Sequence, residues 1–270
     1  MPGRVEGKVA LITGAARGQG RSHALRLAQE GADIIAIDLA GPLPGVQYPS
    51  ATPEDLAETV RQVEALDRRI VARQADVRDR AALKAAIDEG VAELGHLDIV
   101  SANAGICIIA DWRDTTEEIF DDTIATNLKG VWNTITASAP HLIEAGGGSM
   151  ILTSSVAGIK GLPFLSAYVT AKHGVVGLMR AFATELAEHR IRVNTIHPTG
   201  VDTPMGQMDP NPFGPLLAAH PQLGGMLANL FPVQVTEPVD QSNAVLFLAS
   251  DESRYITSTE LTVDAGATQY

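Results

Sequence analysis

The feature that most constrains this chain is a regular alternation of short apolar runs with longer amphipathic stretches. Apolar runs read as strands over 8–12, 33–37, 69–75, 97–101, 149–153, 191–196 and 261–263, with helical periodicity over 20–30, 53–66, 79–94, 116–144, 166–188 and 238–249. A strand, a helix and a further strand call for a crossover connection, which makes neighbouring strands parallel and puts helices on both sheet faces. Val9-Ala10-Leu11-Ile12 lacks polar alternation, as expected for a strand covered on both sides. The expected fold class is α/β, a doubly wound parallel sheet of about seven strands flanked by helices on both faces. No linker or internal repeat divides the chain, so residues 1–270 read as a single domain.

Two segments break the rhythm. Residues 39–51 carry Gly41, Pro42, Pro44, Gly45 and Pro49 and exceed the two to six residues usual for such a connection. Residues 203–235 are uncharged apart from Asp209. Their leucines, methionines and phenylalanines need burial, which favours a substrate lid over a disordered insertion. Within 116–144, Asn127 is a poor helix-interior residue and marks either a kink or a functional position.

Charge narrows the partners. Twenty basic residues against 32 acidic ones give a net charge of −12. Nucleic acid needs a basic face, and an anionic membrane surface needs the same. No apolar run within the long uncharged stretch reaches the ~18 residues of a membrane span, and the N-terminus lacks a signal-peptide core. A soluble cytoplasmic protein is expected. The one cysteine, Cys107, rules out an intrachain disulfide and suits a reducing compartment. It lies in an apolar run and reads as a small hydrophobe rather than a nucleophile. No metal-binding set is read.

Thr13-Gly14-Ala15-Ala16-Arg17-Gly18-Gln19-Gly20 follows the first strand and opens the first helix. Glycine there allows a sharp turn and close approach of phosphate to a helix N-terminus. A glycine pattern alone is weak; its place between strand and helix, in a Rossmann-type arrangement, strengthens it. Asp38 ends the second strand, where a carboxylate accepts from ribose hydroxyls and repels a 2′-phosphate, favouring NAD over NADP. Arg17 points the other way, but Leu39 follows Asp38 where a second basic residue would be needed. Asp76-Val77 and Asn103-Ala104-Gly105 end the third and fourth strands, at the sheet edge where such folds bind ligands.

Tyr168 and Lys172 stand four apart in a helical stretch and share a face. With four tyrosines in the chain, chance rarely produces this spacing. A nearby ammonium favours the phenolate and so suits tyrosine to acid/base work on an alcohol or carbonyl; a surface stacking pair is the competing reading. Ser155, just past the fifth strand, places a hydroxyl near a substrate oxygen, or simply belongs to a turn.

Together these residues resemble the short-chain dehydrogenase/reductase superfamily over nearly the whole chain, about 8–266. The resemblance implies a tetrad: Tyr168 as acid/base, Lys172 lowering its pKa and binding the nicotinamide ribose, Ser155 orienting the substrate oxygen, and Asn127 holding a relay water. It implies that Gly14, Arg17, Gly18, Gln19, Gly20, Asp38 and Leu39 line the cofactor site. By the same resemblance, Asp76 and Val77 meet adenine, Asn103, Ala104 and Gly105 the adenosine ribose, and Val201 and Thr203 the carboxamide. Three departures stand out. The usual proline-glycine is Pro198-Thr199-Gly200, two C-terminal glycines are Ser258 and Ala265, and the 39–51 insertion is absent from most members.

The insertion and the 197–205 segment look like an actinobacterial subgroup labelled carveol dehydrogenase-like, or mycofactocin-associated. It is similar in using NAD with secondary alcohols. A homotetramer is implied by the family. An apolar, terpenoid-like alcohol or ketone is the expected substrate. Ile108, Ile109, Trp112, Leu162, Phe164, Met205, Met208, Phe213, Leu216 and Leu217 fall near the site, with no cationic clamp for a carboxylate. The insertion is expected to fold over the adenosine site and slow NAD release. A dehydratase or isomerase on the same scaffold, or a non-catalytic NAD-binding module, are the alternatives.

Overall fold

A computed structural model describes residues 3–269. The elements follow in order: β1 (Val9–Thr13), α1 (Gly18–Gln29), β2 (Asp33–Asp38), α2 (Pro53–Glu64), β3 (Ile70–Gln74), α3 (Arg80–Leu94), β4 (Ile99–Ala102), α4 (Glu117–Ile124), α5 (Gly130–Glu144), β5 (Gly148–Thr153), α6 (Ser166–Glu185), β6 (Ile191–Pro198), α7 (Phe213–Ala219), α8 (Pro238–Ala249) and β7 (Glu260–Val263). The seven strands form one sheet in the order β3-β2-β1-β4-β5-β6-β7, and every neighbouring pair is parallel. Strand order reverses between β1 and β4, so the connections after them leave on opposite sides and open a crevice.

Pleating sorts the apolar runs into two cores. Val9 and Leu11 of β1 join Ile35 and Ile37 of β2 under α3, α5 and α6. Ala10 and Ile12 join Ile34 and Ala36 under α1, α2 and α8. A strand with helices on both faces has no solvent side, which is why its sequence does not alternate.

Local signals set several boundaries. Thr52 caps α2, accepting from the Asp55 amide at 3.2 Å while Asp55 accepts from the Thr52 amide at 2.8 Å, with Pro53 in the first turn. Gly95, in a left-handed conformation, ends α3. The 116–144 stretch is indeed broken: a π-helical turn over Ala125–Lys129 separates α4 from α5. Helix α1 starts two residues earlier than read, at Gly18, because the glycine loop itself winds into the helix. The 203–235 segment is more ordered than a bare loop, containing α7 and a 3₁₀ turn over Pro221–Leu227. Among the described residues no helix is long and apolar enough to cross a membrane.

Candidate active site

Two adjoining cavities run along the carboxyl ends of the strands. The first, about 160 Å³, lies over β1–β4 and is lined by Gly14, Arg17, Gly18, Gln19, Gly20, Asp38, Leu39, Asp76, Val77, Asn103, Ala104 and Gly105. The second, about 630 Å³, lies over β4–β6 and holds Ser155, Tyr168, Lys172, Pro198, Thr199, Gly200 and Val201. Gln19, Asn103, Gly105, Thr203 and Met205 line both. Of the candidate residues only Asn127 reaches neither; it is fully buried.

The first cavity is a backbone cradle. A Cβ on Gly20 would lie 1.9 Å from the Gly14 carbonyl oxygen, so the turn closes only with glycine there. Gly14 has φ +70°, and a Cβ on it would lie 2.9 Å from the Ala104 Cα. No side chain caps α1 at Arg17, which leaves free amides and the positive end of the helix dipole at the cavity. The Gln19 Oε1 is buried with no hydrogen-bond partner among the described residues. An uncapped helix start, a glycine cradle and an orphaned acceptor all fit a dinucleotide phosphate and its ribose hydroxyls.

Asp38 is itself anchored. One oxygen accepts from the Ala16 amide at 2.9 Å and the other from the Ala40 amide at 2.8 Å. Each oxygen keeps a further acceptor site for a ribose hydroxyl. Asp76 is bound by the Arg78 guanidinium at 2.8 Å. Burial pushes the Asp76 carboxyl up, but its bonds to Arg78 outweigh this and hold it below the usual range. Asn103 ties β4 to β1, its Nδ2 donating to the Thr13 carbonyl at 3.1 Å.

Arg17 turns out to serve the insertion, donating to the Pro49 carbonyl. The insertion crosses from β2 to the loop after β4. There Gln47 Nε2 donates to the Ile109 carbonyl at 3.0 Å, and the Ile109 amide donates to Gln47 Oε1 at 2.9 Å. Tyr48 is buried beneath it, accepts from the Cys107 amide at 3.4 Å and lines the first cavity.

In the second cavity, the first turns of α6 present Tyr168 and Lys172 on one face, with Lys172 Nζ 5.4 Å from the tyrosine ring centre. Lys172 Nζ donates to the Thr153 carbonyl at 2.7 Å. Its burial brings the ammonium down to about 8. The chain's own surroundings act on the Tyr168 phenol in the opposite direction. Burial drives the phenol pKa up, and the Ser155 hydroxyl lowers it only in part. The side chains of this chain therefore keep Tyr168 protonated, because desolvation outweighs the neighbouring groups.

Asn127 is anchored to the loop after β4. Its Nδ2 donates to the Ile106 carbonyl at 2.7 Å and its Oδ1 accepts from the Ile106 amide at 2.8 Å. Both side-chain groups thus clamp the loop after β4 from within a π-helical turn. One positioning residue escaped the sequence reading. His197, fully buried at the end of β6, donates from Nδ1 to the Ser155 carbonyl at 2.8 Å, while Nε2 meets Thr195 Oγ1 at 2.8 Å. Burial lowers its pKa, which suits a neutral ring in that bridge. A histidine just before Pro198 was the only available signal.

The wall of the second cavity is largely apolar. Ile109, Leu162, Met205, Met208, Phe213 and Leu217 line it as expected, joined by Leu165, Met226 and Leu227. Ile108, Trp112, Phe164 and Leu216 do not. Trp112 is 77% exposed, and Phe164 packs instead against His220, ring centres 5.9 Å apart. Cys107 lines the cavity with its thiol pushed up to about 12 by burial, so it is neutral and unreactive. Lys160 also lines the wall.

Comparison with known proteins agrees with this geometry. The short chain dehydrogenase family matches residues 8–211. The chain is 48% identical to a (−)-trans-carveol dehydrogenase of Rhodococcus erythropolis, over 98% of this chain and 99% of that protein. Its fold superposes on a short chain dehydrogenase from Mycobacterium paratuberculosis bound to NAD with a TM-score of 0.97, at 54% identity, covering 99% of this chain and 100% of that one. A carveol dehydrogenase from Mycobacterium avium in complex with NAD gives 0.93 at 52% identity, over 99% and 100%. On the family match and these identities, the chain belongs to the short-chain dehydrogenase family.

Proposed function

We propose that this protein is an NAD-dependent dehydrogenase that interconverts an apolar secondary alcohol and its ketone, in a class that includes carveol-like terpenoids. The observation that carries the reading is that Tyr168, Ser155 and Lys172 face a mainly apolar cavity continuous with the glycine cradle. Asp38 at the end of β2 supports NAD over NADP, since its anchored carboxylate would repel a 2′-phosphate. The NAD-bound relatives support the same choice.

When bound, NAD supplies the hydride acceptor and a cationic ring. The chain supplies orientation and proton handling. Ser155 Oγ holds the substrate oxygen. Tyr168 Oη gives a proton to that oxygen in reduction and takes it back in oxidation. The protonated phenol is the form reduction needs. Oxidation needs the phenolate, and Lys172, held by the Thr153 carbonyl, is the cation placed beside the ring to favour it. His197 and Asn127 position the groups around these atoms rather than react.

The insertion is proposed as a strap over the cofactor groove. Its bonds to Ile109 and Arg17 must open before a bound dinucleotide leaves across it. The family resemblance supports a homotetramer.

The deciding experiment pairs an apolar secondary-alcohol panel with the Tyr168→Phe variant. Wild type should generate the reduced-nicotinamide absorbance. The variant should lose about 10²–10⁴-fold in turnover while still retaining NAD. Turnover near wild type in the variant overturns the acid/base assignment.

A further inference from the structure

We propose that Lys160 is a second recognition point in the substrate cavity, receiving a carboxylate carried on the apolar alcohol away from its carbinol; this rests on the dehydrogenase reading above. The cavity wall holds two ammonium groups, Lys160 and Lys172, and among the described residues no carboxylate. That is a marked bias in a chain with 32 acidic and 20 basic residues. Lys172 is committed to the Thr153 carbonyl and the tyrosine. Lys160 is not part of that group. It stands on the loop between β5 and α6, opposite the C-terminal turn.

Lys160 Nζ donates one of its three protons to the Ala267 carbonyl. Among the described residues it forms no ion pair. Asp264 acts on it electrostatically, but the Asp264 carboxylate is already taken by the Gly266 amide at 3.0 Å, the Thr268 amide at 2.9 Å and the Thr268 hydroxyl at 2.8 Å. Partial burial lowers the Lys160 pKa and the Asp264 charge offsets this only in part, so the ammonium has lost water with no direct ion-pair partner among the described residues. A carboxylate entering the cavity would restore that balance through a charge-assisted hydrogen bond. One point charge, with no guanidinium fork and no helix start beside it, suits a monoanion rather than a phosphate. Leu162 and Leu165 on the same wall would pack the apolar body. The preferred members of that alcohol class are therefore hydroxy acids: secondary carbinol, apolar frame, one carboxylate.

The test compares 1-phenylethanol with 4-(1-hydroxyethyl)benzoate on the NAD-loaded enzyme, reading the ratio of the two kcat/KM values. The same pair of frames, acetophenone and 4-acetylbenzoate, is compared for binding by calorimetry. Wild type should favour the acids by about tenfold in both readouts, the scale of one charge-assisted bond. Lys160→Gln should bring the ratios to near one, Lys160→Arg should keep them, and Lys160→Glu should invert them. If Lys160 only holds the C-terminal turn, Lys160→Gln weakens both members of each pair alike and the ratios stay put, which overturns the proposal. Equal use of acid and neutral probe by wild type overturns it too. Selective binding of 4-acetylbenzoate without turnover of either alcohol would sustain the Lys160 site and defeat the dehydrogenase reading instead.

Discussion

The floor and the roof of the substrate cavity are built on different principles. The floor is made of strand ends and the first turns of α6. Its polar groups are buried and cross-braced: Lys172 to Thr153, Ser154 Oγ to the Lys172 carbonyl at 3.0 Å, His197 to Ser155 and Asn127 to Ile106. The roof, 203–235, lies outside the sheet. It exposes Leu230, Phe231 and Val233, with Phe231 at 67%. A few tethers hold it. Thr199 Oγ1 donates to Asn229 Oδ1 at 2.9 Å, the Phe231 amide to the Ala265 carbonyl at 3.1 Å, and the Thr236 amide to the Gly200 carbonyl at 2.9 Å. A braced floor suits proton transfer, which tolerates little displacement. A loosely tied roof suits selection among apolar shapes. Thr199, the residue intruding into the usual proline-glycine pair, is the joint between them.

That division can be broken at four places. The largest effect belongs to the floor. Lys172 has a pKa near 8 in the fold, below the ordinary ~10.4 of an unfolded lysine. The unfolded chain binds the proton more tightly between these values, so folding stability gains as pH rises through that window. The gain is up to about 2 kcal/mol between pH 8 and 9.5. Urea unfolding of wild type and Lys172→Met at both pH values should show the gain only in wild type. A parallel gain in both would mean the lysine is not desolvated.

Next comes the strap. Gln47→Ala removes both side-chain bonds to Ile109 and should speed NAD dissociation about tenfold, read by stopped-flow displacement. An unchanged rate would show that the insertion does not gate the cofactor. The roof tether follows. Asn229→Ala should raise KM for an apolar alcohol several-fold, about 1 kcal/mol, with kcat nearly intact. A fall in kcat comparable to that of Tyr168→Phe would erase the distinction between floor and roof.

The smallest effect lies where roof meets sheet. Ala265 and Ser258, standing where the family carries glycine, have φ of +51° and +59°. A side chain there is strained by about 1 kcal/mol, partly offset by the lower entropy cost of folding a non-glycine residue. Ala265→Gly should therefore stabilise the protein by roughly 0.5 kcal/mol, seen as a small rise in melting temperature. A loss of stability would mean that the Ala265 methyl is packed well enough to outweigh its strain.

Much of the floor was legible because chemistry there is written in residue type. Gly14 and Gly20 signal a turn too tight for Cβ, and Tyr168 and Lys172 signal one helix face. What escaped is written in long-range contact. Trp112 and Leu162 look alike as apolar residues near the site, yet one is solvent-facing and the other lines the cavity, since the choice depends on the path of two loops. Arg17 reads as a phosphate ligand until the insertion folds back to meet it.

Local propensity and side-chain chemistry act over a few residues, so the strands, the glycine cradle and the candidate site residues are already written in the amino-acid order. The state of those residues and the shape of the cavity come from the folded chain. Burial keeps Tyr168 protonated and brings Lys172 down, and the seating of 203–235 and 39–51 selects which side chains face a ligand. Desolvation and cavity shape are properties of an enclosed volume, and no stretch of chain encloses one alone.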